Sequence, residues 1–151
     1  MTDGLATGSS SVLLNGVPGK KFSCGRGVRQ GDPLSPILFV EGADLLQSMI
    51  NSMAAQGSFT SPLPIPGSDF PVVQYADDTP VIMQACPTQL INLKNLLHTF
   101  AVVTGLSVNY GKTCMMPLNI DDSRLSELAS VFGCATGSLP FPYLGLPLRT
   151  T

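Results

Sequence analysis

Charge is scarce in this chain. Of its 151 residues only 12% are Asp, Glu, Lys or Arg, while 44% are hydrophobic; soluble domains usually carry about 25% charged residues. A surface so short of charge fits a domain that is partly covered by more protein. The net charge is −2, which argues against a free-standing nucleic-acid binder, because phosphate contacts need a positive footprint. The four cysteines, Cys24, Cys86, Cys114 and Cys134, lie far apart with no C-x-x-C pair. That spacing argues against a zinc framework and leaves buried, reduced, structural thiols as the expectation. No signal peptide or membrane-length apolar run is present. The expected location is therefore intracellular, nucleus or cytoplasm, not secreted and with no membrane partner. Histidine occurs once. His98 stands off the apolar stripe of its helix with no acid or cysteine partner in sequence, and reads as a surface residue.

What is present centres on Tyr75-Ala76-Asp77-Asp78. Phe70 to Gln74 and Thr79 to Met83 read as two short β-branched strands, so the four residues between them read as a hairpin turn. Two adjacent carboxylates with no base beside them repel unless a cation sits near. Hard divalent ions such as Mg²⁺ take oxygen ligands of this kind. Asp is also an ordinary turn residue, so a solvated Asp-Asp turn is the plain alternative.

The rest of the chain supplies a core for one domain over residues 1–151. Met1 to Ser10 is small and polar. Ser11 to Leu14 is a strand candidate, Asn15 to Gly19 a turn, and Lys20 to Cys24 a returning strand. Gly25 to Pro36 leads into a helix, with Ser35 as N-cap and Pro36 as first residue. Leu38, Leu45, Leu46, Met49, Ile50 and Met53 keep helical spacing to about Ala55. Gly42 weakens that helix by roughly 1 kcal/mol against Ala, and Glu41 stands among apolar neighbours. Thr88 to Thr104 is an amphipathic helix with Leu90, Leu93, Leu97 and Phe100 on one face and Gly105 closing it. Asp121-Asp122-Ser123 caps a short helix that carries Leu125, Leu128 and Phe132 inward and ends at Gly133. Pro80, inside the second hairpin strand, removes a ladder hydrogen bond and either marks an edge or damages the hairpin.

Four further blocks flank the turn: Val12-Leu13-Leu14-Asn15-Gly16-Val17-Pro18-Gly19, Arg29-Gln30-Gly31-Asp32-Pro33-Leu34-Ser35-Pro36, Gly105 to Thr113, and Leu139 to Leu148. In this order, from about Gly8 to Leu148, the sequence resembles reverse transcriptases of plant-type non-LTR (LINE-like) retroelements. The resemblance implies an α+β fold. The implied fold is a partial polymerase palm, with an antiparallel sheet around the YADD hairpin and helices packed on one face. It implies RNA-directed DNA polymerisation by two-metal nucleotidyl transfer on an RNA template and DNA primer, with Mg²⁺ as cofactor. Asp77 and Asp78 would be the catalytic metal ligands, Asp77 the closer. Gln30, Gly31, Tyr75, Ala76 and Lys112 would shape the nucleotide and template pocket. Lys20, Lys21, Arg26 and Arg29, four of the eight positive residues, would contact the nucleic-acid backbone.

The family's other essential carboxylate belongs to a palm strand before Val12, and no acid in this chain matches it. Asp69 is eight residues before Asp77, about 25 Å away if extended at ~3.3 Å per residue. Asp3, Asp32 and Asp44 read as terminal, loop and helical residues. Fingers and thumb are also expected to be missing. Two functions follow: a polymerase fragment that is inactive alone and needs the missing portion or another protein surface, or a retroelement-derived relic acting as a non-catalytic interaction module.

Overall fold

The computed structural model describes residues 9–23, 31, 33–63 and 67–148. The chain divides into two compact units, Met1–Gly42 and Ala43–Thr151.

In the first unit two antiparallel pairs nest in one hairpin. Strand β2 (Leu13–Leu14) pairs with β3 (Val17–Pro18), and β1 (Ser9–Ser10) with β4 (Phe22–Ser23). Asn15 and Gly16 both have positive φ, 49° and 80°. This is the backbone that a two-residue hairpin turn requires and that Asn-Gly supplies at low cost. The return strand therefore begins at Val17, earlier than the expected Lys20. Leu13 faces Pro18 but Ser10 faces Phe22, so the register slips by one residue between the pairs. The extra residue forms a bulge beside Lys20 and Lys21, both exposed.

Helix α1 (Leu34–Ala55) ends where the pattern says and begins earlier than Ser35. Pro36 is thus the third helical residue. The first four N–H groups of a helix have no internal acceptor, so the missing donor costs nothing there. Leu34, Ile37, Leu38, Phe39 and Val40 are all exposed. Glu41 is exposed as well, which makes it a solvated residue.

The second unit holds the core. Leu46 and Ile50 of α1 meet Leu90, Leu93, Leu96 and Phe100 of α2 (Pro87–Thr104) and Leu128 and Phe132 of α3 (Asp122–Phe132), with Phe59 and Phe70 closing the cluster. Leu38 and Leu45, placed on the stripe by spacing, are exposed, and Leu96 takes the fully buried place expected for Leu97. The helix ends follow their caps. The Asp121 carboxylate accepts from Arg124 N–H at 2.8 Å, while Gly105 and Gly133 adopt the left-handed backbone that closes α2 and α3.

Sheet structure is sparser than expected. Strands β5 (Cys114–Met115) and β6 (Ala135–Thr136) pair in parallel, with α3 as the crossover between them. Strands β7 (Phe141–Tyr143) and β8 (Leu146–Leu148) form a hairpin over Leu144-Gly145, again with positive φ at both residues. Residues 70–83 form isolated bridges, so among the described residues there is no continuous antiparallel sheet around the YADD turn. No described helix is long and apolar enough to cross a membrane. The thiols also depart from expectation. Cys114 is exposed and Cys86 and Cys134 are half-buried, because each sits at a helix or strand end rather than inside a helix; Cys24 lies outside the described residues.

Leu128 is 1% exposed and central to the cluster. Leu128→Ala should lower stability by about 2 to 5 kcal/mol in urea unfolding. The exposed apolar residues of the first unit should bind a hydrophobic dye in the native chain and drive self-association at high concentration; a monodisperse, dye-silent monomer in light scattering would contradict this.

Candidate functional site

The turn that carries the paired carboxylates is built by two complete hydrogen bonds. Tyr75 N–H donates to Asp78 O and Asp78 N–H to Tyr75 O, both at 3.0 Å. Ala76 holds a positive φ of 49°, a backbone that costs a residue with a Cβ roughly 1 kcal/mol. Asp77 and Asp78 are both exposed, as are Tyr75 and Ala76.

Away from the turn the ladder is half-made, and two prolines explain it. Antiparallel partners alternate between pairs that exchange two N–H···O bonds and pairs that exchange none. The bridges Tyr75–Asp78 and Val72–Val81 fix the register. Val73 is then opposite Pro80, and Pro71 opposite Ile82, both at two-bond positions. Val73 N–H donates to Pro80 O at 2.9 Å, and Ile82 N–H to Pro71 O at 3.0 Å. The return bond is missing in each case because proline has no N–H. Of the two expectations for Pro80, damage to the hairpin is the one met, and it is limited. Pro80 halves one rung, and Pro71 halves another.

Helix α1 supplies what the ladder lacks. The Asn51 Oδ1 accepts from Phe70 N–H at 2.9 Å, and Asn51 Nδ2 donates to the Asp69 carboxylate at 2.8 Å. The Gln47 Nε2 donates to Asn51 Oδ1 at 3.0 Å and to Phe70 O at 3.1 Å. Nearer the turn, Gln74 Nε2 donates to Ala43 O at 3.0 Å. Phe70, buried at 5% and packed on Phe59 at 5.6 Å between ring centres, fixes the base of the hairpin in the core. Sequence reasoning passed over Gln47, Asn51 and Gln74. The available signal was Gln and Asn at helical spacing (i, i+4) on a face otherwise bounded by Met49, Ile50 and Met53.

The remaining site residues divide as follows. Lys112 is exposed in a turn, its own N–H bonded to Asn109 O at 3.0 Å. Gly31 is exposed with φ of 85°. Gln30, Arg26, Arg29, Asp3 and Asp32 lie outside the described residues. Asp69 is committed to Asn51, Asp121 to the α3 cap, and Asp44 is exposed on α1.

The donor chemistry of the turn fits a hard divalent ion. Asp77 and Asp78 offer adjacent carboxylate oxygens open to solvent, and the one ion pair among the described residues, Arg124–Glu127, does not involve them. Mg²⁺ is commonly held by one or two carboxylates together with water and substrate phosphates. Among the described residues no group of three or more His, Cys, Asp or Glu side chains converges on a metal position, so none of those residues adds a third carboxylate to the pair. Comparison with protein families identifies a match over residues 5–148 to the family described as reverse transcriptase (RNA-dependent DNA polymerase).

Asn51→Ala leaves the Phe70 N–H and the Asp69 carboxylate without their partner. Stability should fall by about 1 to 3 kcal/mol, and amide exchange at Tyr75 and Asp78 should accelerate. Unchanged protection at those two amides would show that the turn does not depend on α1.

Proposed function

The chain belongs to the reverse transcriptase family, and on that premise we propose that its Tyr75–Asp78 turn is the metal-binding turn of a polymerase palm, of the plant-type non-LTR kind. The observation that carries the reading is the paired, solvent-open Asp77 and Asp78 on a turn anchored to α1 through Asn51, Gln47 and Gln74. Asp77 and Asp78 would hold the divalent ions, with Asp77 the closer ligand. Such ions, when bound, align an attacking 3′ oxygen with a nucleotide phosphate and neutralise the charge that develops. The protein's part is positional. The two Tyr75–Asp78 bonds present both carboxylates from one rigid turn, and Tyr75 and Ala76 lie beside them for a primer end. Lys112 is an exposed cation suited to phosphate, and Lys20 and Lys21, on the bulge of the first unit, are suited to a nucleic-acid backbone, as are Arg26 and Arg29. Gln30 and Gly31 would shape the pocket for template base and nucleotide.

The same reading holds that the 151-residue chain alone does not extend a primer. Two carboxylates leave two ions short of bridging oxygens, and a loss of even about 5 kcal/mol in transition-state stabilisation slows a reaction by roughly 10⁴-fold. The exposed apolar residues Leu34, Ile37, Leu38, Phe39 and Val40 favour a chain that works against a further protein surface, in a cell interior, whether to complete a polymerase or as a non-catalytic module.

Mn²⁺ titration followed by NMR tests the metal turn. Amide signals of Ala76 to Thr79 should broaden first, and Asp77→Asn should abolish the effect. Broadening that survives Asp77→Asn and Asp78→Asn would remove the turn from the mechanism. In a primer-extension assay on an RNA template with Mg²⁺ or Mn²⁺, the chain alone should give no product; product that disappears in Asp77→Asn would show that it is a complete catalyst.

A further inference from the structure

Asparagine occurs six times in the chain and once before glycine, at Asn15-Gly16. That pair forms the tip of the β2–β3 hairpin, with both residues exposed and both at positive φ. Neither the Asn15 side chain nor the Gly16 N–H has a hydrogen-bond partner among the described residues. A Cβ built on Gly16 would meet nothing within 4 Å. The side-chain amide and the backbone nitrogen that follows it are therefore uncommitted and unshielded. The other five asparagines lack this combination. Asn51, Asn92 and Asn95 lie inside helices, where the following N–H is bonded to the preceding turn. Asn109 and Asn119 precede Tyr110 and Ile120, whose side chains crowd the nitrogen as glycine does not.

Little holds this hairpin shut. The Leu14–Val17 pair closes the turn, and the next pair, Leu13–Pro18, falls where antiparallel partners exchange no hydrogen bonds. Beyond it, Gly19 N–H donates to Val12 O at 2.8 Å. Val12, Leu13, Leu14 and Val17 are 60 to 70% exposed, so no side-chain burial backs these bonds. A two-stranded hairpin is marginal in water. The tip therefore opens locally, and the freed chain can bring Gly16 N against the Asn15 amide carbon.

We propose that Asn15 is a site of spontaneous deamidation, and that its isoaspartate product opens the hairpin permanently. Gly16 N gives up its proton and attacks Asn15 Cγ. The new C–N bond closes a five-membered imide as the Cγ–Nδ2 bond breaks, and the amide nitrogen leaves as ammonia with that proton. Water then opens either arm of the imide, with no change of oxidation state. Opening at Cγ leaves aspartate. Opening at the main-chain carbonyl leaves isoaspartate, with the backbone now running through Cβ and Cγ. Each product adds one negative charge to a chain of net charge −2, on the hairpin that carries Lys20 and Lys21. Isoaspartate also lengthens the backbone of a two-residue turn whose closure requires positive φ at both positions, so Leu14 and Val17 no longer meet.

The test is incubation of the full-length chain at neutral and mildly alkaline pH, followed by peptide mass spectrometry. Isoaspartate is scored with an isoaspartyl methyltransferase and a labelled methyl donor. The peptide carrying Asn15 should gain one mass unit before any other asparagine peptide and become a methyl acceptor. The gain should be faster at the higher pH, because the attacking nitrogen must lose its proton. Asn15→Gly keeps a turn-compatible Gly-Gly pair and should show neither change. In NMR spectra of the aged wild type, the Leu14 and Val17 amide signals should move to unfolded positions, while those of aged Asn15→Gly stay in place. The proposal is overturned if another asparagine reacts first, or if Asn15 keeps its amide in the native chain while the urea-unfolded chain loses it. It is equally overturned if the folded Leu14 and Val17 signals survive in the isoaspartate form.

Discussion

The side chain of Asn51 is the contact on which the geometry of the carboxylate turn depends. It takes the Phe70 N–H and the Asp69 carboxylate at once, and Gln47 steadies it from the previous turn of α1. The ladder is what a hairpin contributes to its own stability. Here Pro71 and Pro80 each occupy a two-bond position and remove one bond, so only the pair nearest the turn is complete. A two-stranded hairpin is marginal in water even with a full ladder. The amides of α1 and the burial of Phe70 offset that weakness at the base, and Gln74 on Ala43 O does so near the tip. The turn is therefore positioned by a helix that is itself fixed in the core through Leu46 and Ile50. Rigidity passes from apolar packing to amide hydrogen bonds to the carboxylates.

The helices were legible because their signals are local. Asp121 before an apolar run, and Gly105 and Gly133 after one, state where α2 and α3 stop or start, and all three residues make the expected contacts. The start of α1 was misplaced because Ser35-Pro36 imitates a cap and first residue, while proline is tolerated anywhere within the first turn. Strands were less legible for a physical reason. Most ladders here have two residues on a side, too few for alternation to show. The β7–β8 hairpin went unread because its turn, Leu144-Gly145, puts leucine at positive φ where Asn or Asp is the usual signal. The parallel β5–β6 pair is a contact across α3 that no local pattern announces.

In the site itself, the turn was legible and its support was not. Paired Asp residues between two apolar runs are visible in one dimension. The Asn51–Phe70 bond joins residues 19 apart, and only the folded chain shows that Asp69, weighed as a spare metal ligand, is already bound by Asn51. Thiol burial was misjudged for a similar reason. Cysteine is a small hydrophobe by default, yet Cys86 falls at the N-cap of α2. There the Gln89 N–H draws its thiol below the ordinary cysteine range despite some opposing desolvation. Position along the helix, not residue type, sets its environment.

Ala76 gives the last step. A residue with a Cβ rarely takes positive φ, and glycine would take it without strain. Ala76 is held there by the two Tyr75–Asp78 bonds, which are the only complete rung in the hairpin. Glycine at this position would ease the turn and also free it, since it adds backbone freedom to the residue immediately before the first carboxylate. Alanine costs roughly 1 kcal/mol of local strain and in return narrows the directions in which Asp77 is presented. The observed arrangement thus places a strained, restricted residue between an aromatic side chain and two carboxylates, with the one complete rung directly below it and the halved rungs beyond. Strain of this kind persists only where surrounding structure over-determines it. The surrounding structure is the Tyr75–Asp78 rung, backed by Asn51 and Gln47 of α1 and by Gln74 on Ala43 O, so the interactions that anchor the hairpin also hold the turn that carries Asp77 and Asp78.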